Sequence, residues 1–469
     1  MLFNSIAFLI FFPIVCVFYF LTPSNYIRTR NAFLLIASYY FYMNWQPVYA
    51  LLILTSTIIT YLAAIFVDKA KSCKQRKLYL VIAIVSNLAI LFLFKYFNFL
   101  ADNIEGLLTN AGLHLDIPDF KLLLPVGISF YTFQALGYAI DVYRGDTKVE
   151  KNFFTYALFV SFFPQLVAGP IERSKNLLPQ FSEKHEFVYE RVMDGIKIMI
   201  WGYFMKLVLA DRCGLYVDMV FNNIDEHNGG SYLVAAFLFP FQIYGDFSGY
   251  SLIAIGTAKI LGFRLMENFR RPYFSSTIGE FWSRWHISLS TWFKDYLYIP
   301  LGGNRVSKTR NYLNLLVTFV VSGIWHGANW TFLAWGTVHG ILLCVEKALG
   351  IAKKTFSGFS KCLHWAITFV LVCFAWILFR ADSIQDAITI IKGIATNLSM
   401  PKPEYANFMA IAFAMAILIC KEWADEFNLK WKRNFENCSW LMHAYIIFMI
   451  ATIILFGVLG GDQFIYFQF

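Results

Sequence analysis

Charged residues are scarce: Asp, Glu, Lys and Arg make up only 15% of the 469 residues, against about 25% in soluble globular domains. With 58% of the chain hydrophobic, that shortage argues against a soluble enzyme. The stretches Ala83 to Phe97, Ile446 to Leu459 and Ser5 to Leu21 are too apolar for the amphipathic helices of a water-soluble fold. Paired cysteine spacing is also missing. Of the eight cysteines, Cys16, Cys344, Cys373 and Cys420 lie inside apolar runs and read as small buried hydrophobes, without a disulfide framework. No HExxH, HxxxH or CxxC occurs, so no metal site is expected. "PLGGNR" lacks the Lys-Ser/Thr and the preceding strand of a phosphate loop and reads as a tight turn, and no GxSxG elbow marks a self-contained serine hydrolase. A basic leader and an A-x-A-like cleavage site are absent before "LTPSNY", so the first apolar run is expected to stay as a helix.

What is present is a series of apolar segments near 3–22, 32–45, 48–67, 79–100, 153–170, 189–210, 230–262, 311–325, 330–347, 362–379, 405–420 and 440–460. In lipid each must satisfy its own backbone, which predicts an all-α polytopic bundle rather than a barrel. Pro125, Gly127, Pro164, Gly169 and Pro170 predict broken or re-entrant helices between 120 and 180. The net charge of +9 sits in short loops and forms no stripe, which suits membrane topology and not nucleic acid. Arg28, Arg30 and "DKAKSCKQRK" fall on one side, taken as cytoplasmic together with "EKALGIAKK" and "LKWKRNF", while the acidic interval near 101–119 reads as an external loop. Gly262 to Arg310 reads as interfacial and re-entrant structure. No linker divides the chain, so residues 1–469 are treated as one domain, with core motifs at 124–340 and peripheral helices at 1–100 and 362–460.

Eight histidines differ in setting. His114, His185 and His227 lie in polar loops, and His364 and His443 near segment ends. His326 closes an apolar run in "VSGIWHGANW", where Gly327 and Ala328 permit close approach of a chain or ligand. It reads equally as a satisfied buried histidine or as a general base for a hydroxyl proton. Asn329 is either a helix N-cap or an oxyanion donor. His286 lies in "FWSRWHISLSTWFKDYLYIPLGGNR", where Trp282, Trp285, Leu289 and Trp292 would stripe one helix, with Arg284 on another face. An interfacial helix explains that pattern adequately. His339, in "GTVHG", reads as a packing residue beside Gly336 and Gly340. "YGDFSGYSLIAIG" brings Tyr244 and the membrane carboxylate Asp246, a group expected to pair or face a cavity.

Five stretches in order resemble the bacterial, alginate O-acetylation branch of the membrane-bound O-acyltransferase family: "LPVGISFYTFQALGYAIDVYRG", "FFPQLVAGPIERSKNLLPQF", "YGDFSGYSLIAIGTAKILGF", "FWSRWHISLSTWFKDYLYIPLGGNR" and "VSGIWHGANWTFLAWGTVHG". The resemblance implies about 11–12 transmembrane helices with re-entrant and interfacial helices around a central tunnel. It implies His326 as the catalytic histidine, His286 as the second site position, and Trp325, Gly327 and Asn329 framing them. His326 and His286 are the candidate catalytic residues, and Trp325, Asn329, Asp246, Tyr244, Arg284 and Trp285 the candidate substrate contacts. The implied activity passes an acyl group, acetyl by expectation, from a cytoplasmic thioester such as acetyl-CoA to an extracytoplasmic polysaccharide hydroxyl, or to an SGNH-type acetyltransferase partner. No resident cofactor is expected, and the implied location is the bacterial inner membrane. D-alanyl transfer to teichoic acid, peptidoglycan O-acetylation and, from a different class, a polytopic transporter are the alternatives.

Overall fold

The computed structural model describes residues 1–113, 117–118, 120, 124–401, 405–429, 438–458 and 465. His114, Asp116, Asp119 and the basic stretch from 430 onward lie outside them. The chain divides into two compact units, Met1–Ile196 with Ala254–Met266, and Lys197–Ile253 with Glu267–Phe469. The described residues form helices and no strand.

In the first unit the leading apolar segments become the helices Ile6–Leu21, Ile27–Met43, Ala50–Lys69 and Cys73–Lys95. Ser5 and Ser72 cap two of them by accepting backbone N–H groups that would otherwise lack partners. The acidic interval, expected as a loop, begins as the helix Phe97–Asn110, because the spaced carboxylates Asp102 and Glu105 do not interrupt helical geometry. Ile128–Arg144 starts and ends at left-handed glycines, Gly127 and Gly145. A Cβ at Gly127 would meet the Leu166 carbonyl oxygen at 2.7 Å, so that position needs glycine for space as well as conformation. The expected break arrives next, as Phe153–Ser161 and the single turn Phe163–Leu166.

The second unit carries the candidate site. Tyr189–Tyr203 enters it and widens into a π-helical stretch, Phe204–Ala210, before Asp211–Phe221. Gly229–Leu261 runs through Pro240 as one long helix. After a looped interval come the short helices Ile278–Arg284 and Ile287–Phe293, then Lys308–His326, Trp330–Ala348, Gly358–Arg380, Ile384–Thr396, Tyr405–Glu426 and Ser439–Phe456. The "PLGGNR" turn is real: Gly302 and Gly303 take positive φ, and Asn311 and Asn314 both donate to the Gly303 carbonyl.

Pro47–Lys69, Cys73–Lys95 and Gly358–Arg380 are long and apolar enough to cross a bilayer. Large apolar side chains such as Ile6, Leu21, Ile447 and Leu455 stand exposed, as lipid-facing residues do. Buried polar groups point the other way, into the protein. Lys206 lies 2.7 Å from both Asp211 and Asp246, all three almost fully enclosed, so a cation in an apolar run is compensated by two anions.

Candidate active site

Lys308–His326 and Trp330–Ala348 form a hairpin whose backbones touch. A Cβ at Gly323 would lie 2.3 Å from the Phe332 carbonyl oxygen, and one at Gly336 would lie 2.3 Å from that of Phe319. Small residues at this crossing let the helices close without side chains between them. The chain turns at Gly327 in extended conformation, and Asn329 caps the second helix, its Oδ1 accepting from Thr331 N at 3.0 Å. The space beside Gly327 is filled by the Phe332 ring, whose Cε2 would meet an added Cβ at 2.1 Å.

This hairpin folds two histidines into one aromatic cluster. His326 and His339 lie far apart in sequence but on antiparallel helices, and the Trp335 ring stands edge-on to both, at 4.9 and 5.1 Å between centroids. His339 accepts from the Trp282 indole N–H at 3.3 Å, which agrees with a packing role. His326 is bounded further by Phe379 at 5.4 Å and Trp325 at 5.0 Å.

His286 reaches the same cluster by a different route. The expected striped helix is broken: Ile278–Arg284 ends, Trp285 turns extended, and His286 takes φ 41° before Ile287–Phe293 begins. A non-glycine residue in the left-handed region is costly and tends to occur where surroundings enforce it. Trp282, Trp285, Leu289 and Trp292 are all buried rather than spread along an interface, and His286 has no exposed surface. Its ring packs on Phe247 at 4.5 Å and lies 6.2 Å from Trp325. One tryptophan, Trp325, therefore flanks both imidazoles, bringing His286 and His326 into one buried neighbourhood.

The remaining candidates hold polar contacts with the protein itself. Asn329 donates through Nδ2 to the Asp382 carbonyl at 2.8 Å. Tyr244 donates its hydroxyl to Glu422, and Asp246 pairs with Lys206 and accepts from the Ile465 amide at 2.6 Å. Arg284 bridges Glu280 at 2.7 Å and Glu426 at 2.9 Å, and Arg271 joins Glu426 at 2.8 Å. Trp285 stacks on Phe281 and meets Trp376 at a tilt, 5.1 Å between centroids. No group of three or more metal-binding side chains occurs among the described residues.

Several residues beside these candidates are not singled out by the sequence. Glu346, on the Trp330–Ala348 helix, accepts from the amides of Ile278 and, at 3.0 Å, Gly279, placing a carboxylate on the first turn of the helix that leads to His286. Asn268 contacts His286 directly. Lys206 alone carried a signal, a lysine within "FMKLVLA".

The architecture defines a polytopic all-α membrane protein with a buried histidine and tryptophan core. Residues 149–383 match the profile of the membrane-bound O-acyltransferase family. The probable alginate O-acetylase of Pseudomonas syringae pv. tomato is 42% identical over 389 residues, 82% of this chain and 74% of that one. The peptidoglycan O-acetyltransferase of Helicobacter pylori is 35% identical over 445 residues, 87% and 83% of the two chains. The teichoic acid D-alanyltransferase of Bacillus subtilis is 26% identical over 280 residues, 56% and 70%. The chain belongs to the membrane-bound O-acyltransferase family and is an O-acyltransferase of the membrane.

Proposed function

We propose that this enzyme moves an acetyl group from a cytoplasmic thioester, acetyl-CoA, across the bacterial inner membrane to a hydroxyl of an extracytoplasmic polysaccharide, directly or through an SGNH-type acetyltransferase partner. The observation that carries the reading is the convergence of His286, Trp325 and His326 in one buried cluster of a family member. The acetyl group and the polymer acceptor are supported by the names of relatives that are 42% and 35% identical, both O-acetylating.

His326 acts as the general base. A neutral imidazole takes the acceptor hydroxyl proton as the oxygen attacks the thioester carbonyl, the C–O bond forms, the C–S bond breaks, and the proton passes to the leaving thiolate. Burial among aromatic rings keeps competing water away from the thioester. One Asn329 amide hydrogen is engaged with Asp382, and the second is assigned to the developing oxyanion. His286 and Trp325 line the same neighbourhood and position the acyl carbonyl, while Tyr244, Asp246, Arg284 and Trp285 shape its surroundings.

The test is thioester consumption. Purified protein in lipid nanodiscs, given radiolabelled acetyl-CoA and a polysaccharide acceptor, is expected to transfer label in a His326-dependent way. Undiminished acetylation by His326→Ala would remove the assignment, and a protein that moves a solute without consuming thioester would be a transporter.

A further inference from the structure

Asn268 lies in the loop after the long helix Gly229–Leu261, eighteen positions before His286, and is 1% exposed. Its Oδ1 meets three groups: the backbone N–H of Ser288 at 3.3 Å, the Ser288 hydroxyl at 2.8 Å and His286 Nδ1 at 3.0 Å. Its Nδ2 donates to Ser251 Oγ at 3.0 Å, and its backbone carbonyl accepts from Ile287 N at 2.9 Å. A backbone N–H can only donate, so the amide atom facing Ser288 N must be the oxygen. That removes the usual ambiguity between amide oxygen and nitrogen. The same oxygen faces Nδ1 of His286, and an oxygen acceptor requires a proton on that nitrogen. A neutral imidazole with its proton on Nδ1 carries its lone pair on Nε2.

We infer that Asn268, held by Ser251 and Ser288, is a positioning residue that fixes the tautomer of His286 with the proton on Nδ1, and clamps the left-handed backbone that turns this ring toward Trp325. The carbonyl bond to Ile287 N and the amide bond to Ser288 N together secure the two residues after His286, which is what a φ of 41° needs in order to persist. Asn268 touches no reacting atom, and its effect passes through His286. The inference rests on the placement of His286 in the site proposed above. Partners that orient a working imidazole are worth on the order of 10–100-fold in activity where they have been removed beneath metal-bound histidines.

Two measurements test it in full-length protein in nanodiscs. In a sample labelled with 15N-histidine, the His286 signals, assigned by their loss in His286→Gln, are expected to report a protonated Nδ1 and a bare Nε2. A protonated Nε2 in the wild-type protein overturns the inference. In the acetyl-CoA assay, Asn268→Leu is expected to lose about 10–100-fold in kcat with KM for acetyl-CoA little changed. Asn268→Asp, which keeps an oxygen for Nδ1 and Ser288 N, is expected to recover most of that loss. Equal rates for both variants and the wild type refute a positioning role. If Asn268→Leu does not fold, the tautomer signal of the wild type and of Ser288→Ala still decides. If His286→Gln transfers at full rate, the role of His286 in the proposed function fails, while the tautomer assignment stands or falls on the nitrogen signals alone.

Discussion

Replacing Gly323 with alanine tests whether helix contact sets the position of His326, three residues further along the same helix. An added methyl would sit 2.3 Å from the Phe332 carbonyl oxygen and 3.3 Å from the Gly336 Cα, and ordinary contact begins at 3.4 Å. The two backbones must part by about 1 Å, since neither obstruction is a flexible side chain and core overpacking is relieved only by such shifts. Alanine gains about 1 kcal/mol of helix propensity over glycine, and overpacking costs about 1–3 kcal/mol. Stability should therefore change by no more than about 2 kcal/mol, but a 1 Å displacement of a reacting group costs on the order of 100-fold in rate. The expected result is a folded, monodisperse protein in detergent with a slightly lowered Tm and a transfer rate reduced about 100-fold. Gly106→Ala is the control, because its added Cβ meets nothing within 4 Å. A wild-type rate for Gly323→Ala would falsify the link between the glycine crossing and His326.

Other outcomes follow from the same geometry. His326→Ala should lose about 10²–10⁴-fold in transfer rate with its elution profile in size-exclusion chromatography unchanged, and rescue by added imidazole would support the base assignment. Asn329→Asp keeps an oxygen to cap Thr331 N but removes the amide donor; an accompanying rate loss of about 10²–10³-fold is expected, and an unchanged rate would leave Asn329 as a cap only. Lys206→Met strands Asp211 and Asp246 in an enclosed site, which should cost about 3–5 kcal/mol and appear as a sharply lower Tm or loss of folded protein. Near-normal stability in that variant would mean the carboxylates find other compensation.

The helical segments were legible because membrane helices announce themselves one at a time: runs of apolar residues bounded by polar loops fix both ends without reference to partners. Lys308–His326, Trp330–Ala348 and Gly358–Arg380 fall within a few residues of the apolar runs at 311–325, 330–347 and 362–379. The site was harder to read. The break at His286 has no local proline or glycine to mark it, and the aromatic spacing runs through it undisturbed. What enforces it is Asn268, a partner eighteen positions away whose role is set by tertiary contact. The gathering of His326 and His339 around Trp335 likewise depends on the hairpin folding back on itself, which spacing along a single helix does not reveal. Asp246 stands out in the sequence as a carboxylate expected to pair or face a cavity, but its partner Lys206, like the Glu422 that accepts from Tyr244, lies in a separate segment.

Glu346 gives the site a mechanical property. It sits on the hairpin that carries His326 at its turn, and it holds the first amides of the short helix that ends just before His286. The carboxylate thus ties the segment that carries His286 to the hairpin that carries His326. A rocking carrier moves its binding elements apart and together to expose a solute alternately. In the proposed transfer, thioester and hydroxyl each come to this braced pair of histidines, in contrast to a solute carried by elements that move.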